Sequence, residues 1–77
     1  MENFNISIVN QKFELQNEHE GPTIEDARAA AIKGALQIGA AEINDDNPLF
    51  GAEVSVAQGG NRLARYVIAI AVSPLNR

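Results

Sequence analysis

Glu18-His19-Glu20 sets the chain's one imidazole between two carboxylates, and imidazole with carboxylate is a zinc-ligand set. The spacing works against such a site. Neighbouring side chains on an extended segment point to opposite sides, so the three donors do not converge and a solvated bend is expected instead. Asn44-Asp45-Asp46-Asn47 is rich in oxygen donors but lacks the spaced ligands and closing bidentate Glu of a calcium loop. It reads as the end of a helix. Gly59-Gly60 precedes a strand pattern rather than a helix, so it is no phosphate cradle. The chain has no Cys, and Ser7, Ser55 and Ser73 fall on strand patterns without a nucleophile motif. One His and one Tyr leave little material for acid–base work. No catalytic, metal or cofactor residue is expected, and the chain reads as a non-enzyme.

Arg28 is the charge that asks for a partner. Helical phase puts it near the centre of the sheet-facing side, close to the positive end of the helix, where a cation is disfavoured. Glu18 and Glu20 in the preceding bend, or Glu25 one turn back, are its candidate anions. Two roles follow: a clasp tying the bend to the helix, or an anchor for an anionic ligand. Structural ion pairs often mimic sites, which favours the clasp. Glu42 is the mirror case, an acid near the negative helix end, with Arg62 or Arg65 to neutralise it.

The elements that would position these residues are legible from periodicity. Phe4, Ile6 and Ile8 alternate with Asn3, Asn5 and Ser7 as a half-buried strand. Asn10-Gln11 offers a turn, Asn being tolerant of positive φ. Phe13 and Leu15 alternate with Lys12, Glu14 and Gln16 in a more polar second strand suited to a sheet edge. Gly21-Pro22 ends it. Thr23 is a good N-cap, with Asp26 completing a variant capping box. The helix then runs to about Ile43, about 20 residues and roughly 30 Å. Ala31, Ala35 and Gly39 form its small inner stripe, flanked by Ile24, Ala27 and Ile38 on one side and Ile32, Leu36 and Ile43 on the other. Ala52, Val54 and Val56 make a third strand, Gly59-Gly60-Asn61 a hairpin turn, and Arg62 to Ser73 a fourth strand that stops at Pro74. The expected fold is α+β: a two-layer ββαββ domain spanning residues 1–77, with one long helix on one face of a four-stranded sheet. Tyr66 to Val72 is apolar on both faces, which places the fourth strand inside the sheet. The orders 2-1-4-3 and 1-2-4-3 both satisfy that, and the apolar character of the first strand favours 2-1-4-3.

Composition sets bounds on partners. Seventy-seven residues form one thin-cored domain that buries only about 60% of its unfolded surface. Without Cys, no disulfide reinforces it. Six basic residues against ten acidic ones give a net charge of -4. The basic residues are scattered, which argues against nucleic acid. No apolar run is long enough to span a bilayer as a helix, and Met1-Glu2-Asn3 lacks the start of a signal peptide. A cytoplasmic protein without membrane contact is expected.

Phe4, Glu18, Glu20-Gly21 and Glu25-Asp26-Ala27-Arg28-Ala29-Ala30-Ala31 together resemble a family of short bacterial proteins from rhizobia and related α-proteobacteria, a domain of unknown function. Its members open with an aromatic-led strand and a second strand, then an acidic bend with Gly and a helix reading like Glu-Ala-Ala-Arg-Ala-Glu-Ala, then a closing hairpin. This chain departs from the pattern at Asn17, His19 and Pro22, and its closing hairpin is more apolar. The resemblance implies a ββαββ fold and a bacterial cytoplasmic setting, and no reaction.

The functional expectation rests on the outer face of the fourth strand. Val67, Ala69, Ala71 and Ser73 face away from the single helix, leaving a small apolar patch to be covered. A homodimeric interaction module is the first reading, with these residues at the interface. The alternatives are a partner-neutralising regulator, similar to small HicB-like antitoxins in make-up and acidity, and an anionic-ligand binder using Arg28.

Overall fold

The computed structural model describes residues 1–75. Five elements follow one another as β1 (Glu2–Val9), β2 (Glu14–Gly21), α1 (Ile24–Glu42), β3 (Leu49–Gln58) and β4 (Asn61–Ala71). All strand pairs are antiparallel, in the order β2-β1-β3-β4. The chain is thus the expected four-stranded ββαββ α+β sheet with one helix. Its strand order is not the expected one. β4 lies at an edge, and β3 takes the inner place beside β1 through pairs such as Ile6–Val56 and Ile8–Val54. The reason is on β3's helix-facing row: Phe50, Ala52, Val54 and Val56 are all buried. Phe50 and Leu49 lengthen the strand beyond its three alternating residues, so β3 carries more core than its sequence pattern suggested.

Three turns set the register. Gly59 and Gly60 have φ of +58° and +83°, the two left-handed positions of a type I′ turn whose twist suits a tight hairpin. Beyond it the ladder shifts between Val56 and Ala57, leaving Leu63 as an extra residue on β4. The β1–β2 turn works differently from expectation. Among the described residues no non-glycine has positive φ, and Asn10 instead accepts through Oδ1 from the Lys12 and Phe13 amides, a side-chain mimic of a backbone turn. Phe13 is drawn out of the strand and packs half-buried against the core. Asn44 repeats the device after the helix, accepting from the Asp46 and Asn47 amides.

Thr23 caps α1, its Oγ1 accepting from the Asp26 amide at 3.2 Å. The reciprocal half of the capping box is absent because the Asp26 carboxylate turns to His19 at 2.8 Å. Ala27, Ala31, Ala35 and Gly39 form the buried stripe of the helix. Small side chains there let the axis sit close over β1 and β3, whose apolar helix-facing residues are buried: Phe4, Ile6 and Ile8 on β1, and Phe50, Ala52, Val54 and Val56 on β3. A Cβ on Gly39 would lie 2.5 Å from Ile70 Cδ1 and 2.7 Å from Phe50 Cδ2, so this glycine is required by close approach. Leu36, expected to flank the core, is instead 43% exposed.

Candidate interaction surface

Cross-strand pairing decides where each charged candidate lies. Glu18 sits opposite Asn5 and Glu20 opposite Asn3, whereas His19 sits opposite Phe4. Phe4 is buried on the helix side, so His19 is on that side and both glutamates are on the other. Neither can reach Arg28. The expected clasp from Glu18 or Glu20 to Arg28 does not form. A different one does: His19 Nε2 meets Asp26 Oδ2 at 2.8 Å and ties β2 to the first turn of α1. Gly21 is buried directly beneath, where a Cβ would clash with Asp26 Oδ2 at 2.1 Å. The bend is indeed fastened to the helix, but by the imidazole rather than by the arginine.

Arg28 is exposed rather than central to the sheet-facing side. Its guanidinium Nε donates to the Tyr66 hydroxyl, and its Cζ lies 5.6 Å from that ring's centroid, within cation–π range. The pair joins the helix to β4. Helical phase gave the correct side of the helix but not the depth, because the helix is centred over β1 and β3 and residues on its β4 side reach past the covered area. Glu42 also takes neither expected partner: Arg65 pairs with Glu53 across the β3–β4 ladder at 2.6 Å, on the outer face. Among the described residues no three His, Asp or Glu side chains converge, and no buried side-chain nitrogen or oxygen lacks a partner.

Strand β4 is where the surface is unusual. Val67 (77% exposed), Ala69 and Ala71 lie on the face away from the helix. Their neighbours across the ladder are Glu53, Gly51 and Leu49, and Leu49 is exposed too. Ser73 is exposed beyond the strand's end. The polarity of the backbone follows from one bond. The Val72 amide donates to the Pro48 carbonyl at 2.8 Å, and Pro48, having no N–H, cannot return it and ends the ladder. In an antiparallel pair successive residues alternate between facing the partner and facing away. Ile70, Ile68 and Tyr66 therefore bond to β3, while Ala71, Ala69, Val67 and Arg65 point N–H and C=O at the open edge.

The two sheet edges differ in chemistry. β2 carries Glu14, Glu18 and Glu20, charges of the kind that keep an edge from pairing with other chains. β4 runs from Tyr66 to its end without a charge. Its helix-facing residues Tyr66, Ile68 and Ile70 are only half-buried. Among the described residues no helix is long and apolar enough to cross a membrane. Compared with protein-family models, curated proteins and solved structures, the chain matches none.

Proposed function

We propose that this protein is a non-enzymatic, cytoplasmic interaction module that acts as a homodimer, built by pairing β4 with β4 of a second copy. The observation that carries the reading is the open, uncharged edge of β4. Antiparallel pairing about a two-fold axis at Ala69 sets Val67 of one copy against Ala71 of the other and keeps Arg65 of the two copies apart. It satisfies the outward amides and carbonyls and joins two four-stranded sheets into one. A two-fold is the usual symmetry of self-association. Strand addition at an exposed edge draws its affinity from main-chain bonds of this kind.

Light scattering over a concentration series tests it. The wild type is expected at twice the 8.3 kDa of one chain. Ala69→Glu with Ala71→Lys should give monomer. Ala69→Pro should do the same, because the lost N–H faces the open edge and no β3 bond is removed. A monomeric wild type at high micromolar concentration refutes the dimer; a dimeric double variant or a dimeric Ala69→Pro refutes β4 as its seam.

A further inference from the structure

The buried core of this domain takes no side chain from β4. All ten buried apolar residues belong to β1, α1 and β3, and every residue of β4 is half-buried or exposed. Tyr66, Ile68 and Ile70 lean on that core from its margin, and Arg28, itself exposed, reaches Tyr66 from the helix. One side of β4 is paired, to β3, and the other has no strand beside it. Elements with few buried apolar contacts open locally at less cost than the whole fold. The sequence of this strand adds a second property. Tyr66-Val67-Ile68-Ala69-Ile70-Ala71-Val72 is seven residues without a charge, Pro or Gly, rich in β-branched side chains, which is the signature of segments that stack as cross-β. Its bulk lies on one face, in Tyr66, Ile68 and Ile70, and the small Ala69 and Ala71 lie on the other, so stacked sheets can interdigitate closely. Arg62 and Arg65 precede it and Pro74 follows it, residues of the kind that flank such a segment rather than interrupt it.

From these two properties we infer that β4 is a detachable strand, and that its released segment Tyr66–Val72 templates cross-β fibres with the same segment of further copies of this chain. Release leaves the buried rows of β1, β3 and α1 in place. Stacking then satisfies both sets of main-chain groups on the segment: those of Val67, Ala69 and Ala71, open in the native sheet, and those of Ile68 and Ile70, which β3 had paired. The inference stands on contacts within one chain and does not need the dimer. A closed β4–β4 pair would compete for the same edge.

Neighbouring amides of β3 report on two different ladders, which makes the detachment measurable. Ala52 and Val54 lie opposite Ile68 and Tyr66 and bond to β4, in the register set by Val72 and Pro48. Alternation turns the intervening Glu53, and Ser55 after Val54, toward Val9 and Ser7 of β1. In native-state hydrogen exchange, Ala52, Val54, Ile68 and Ile70 should therefore exchange as one class, faster by about tenfold or more than Glu53 and Ser55. One common rate for all six amides overturns the detachment.

The fibres are tested on the full chain, agitated and followed by thioflavin T fluorescence and by fibre diffraction. The wild type should give fibres with a strand spacing of about 4.7–4.8 Å. Ala69→Lys puts a charge at the centre of the segment, on an exposed position of the outer face, and should abolish them while leaving the circular dichroism of the fresh protein unchanged. Gln16→Lys, the same charge on the outer face of β2, should leave them. A wild type that forms no fibres, an Ala69→Lys chain that still forms them, or a Gln16→Lys chain that loses them equally overturns the segment as the seam. Light scattering on the fresh protein reads the dimer separately. A dimer that gives no fibres leaves the earlier reading standing and sinks this one, and a monomer that gives them does the reverse.

Discussion

Two glycines in one helix should respond in opposite directions to the same substitution. Gly34 and Gly39 both lie within α1, and each costs the helix about 1 kcal/mol relative to Ala. At Gly34 an added Cβ meets only Ile8 Cδ1, at 3.8 Å, an ordinary contact. Gly34→Ala should therefore stabilise by about 0.5–1 kcal/mol. At Gly39 the added Cβ falls 2.5 Å from Ile70 Cδ1 and 2.7 and 3.0 Å from Phe50 Cδ2 and Cε2. The Ile70 methyl is the end of a flexible, half-buried side chain and can rotate away. The Phe50 ring is 6% exposed and has nowhere to go without moving the helix. Overpacking of this kind costs about 1–3 kcal/mol, which outweighs the propensity gain near the helix end. The expected net loss for Gly39→Ala is about 1–2 kcal/mol. The two variants should then differ by about 1.5–3 kcal/mol, or roughly 6–24 °C in Tm for a domain of this size. Urea melts followed by circular dichroism, at one fixed protein concentration because assembly shifts the midpoint, give the comparison. Ile70→Val in the Gly39→Ala background removes one of the clashing atoms, so its cost should be less than in wild type, a coupling that a double-mutant cycle reads directly. If both glycine variants shift the midpoint upward by the same amount, the close approach of helix to Phe50 is wrong.

Other outcomes follow from the same contacts. Gly60→Ala should destabilise by about 1–2 kcal/mol in thermal melts, because φ of +83° is strained for any residue with a Cβ. Thr23→Ala should cost about 1 kcal/mol through loss of the cap, seen as a lower urea midpoint with unchanged slope. Arg28→Ala should cost about 0.5–1 kcal/mol, the worth of an exposed cation–π contact, and more than Lys33→Ala on the water-facing side. Tyr66→Phe, which keeps the ring but loses the hydroxyl that accepts from Arg28, should cost less than Tyr66→Ala by the same melts. Equal midpoints for Arg28→Ala and Lys33→Ala would show that the Arg28–Tyr66 contact contributes nothing.

Period and punctuation in the sequence determined the elements of this protein. Alternation at Phe4, Ile6 and Ile8 and at Val54 and Val56 marks strands because side chains on a pleated chain point to opposite faces. Thr23, Gly59-Gly60 and Pro48 mark ends because cap, turn and missing N–H are local properties of single residues. The Ala31-Ala35-Gly39 stripe could be read as the closely packed face of α1 for the same reason, whereas Ala27, expected on its flank, belongs to the buried stripe itself. Strand order was not legible. An apolar strand reads alike whether a neighbouring strand or a second molecule is to cover it, and only the long-range pairing of β1 with β3 put β4 at the edge. The partners of the charges were equally hidden. Which anion meets Arg28 depends on which sheet face each glutamate takes, and that is fixed by register between strands, not by distance along the chain. Register sent Glu18 and Glu20 to the outer face, gave Asp26 to His19, and left Arg28 to a tyrosine 38 positions away. Local chemistry is written in neighbouring residues; pairing and depth exist only once the sheet has chosen its order.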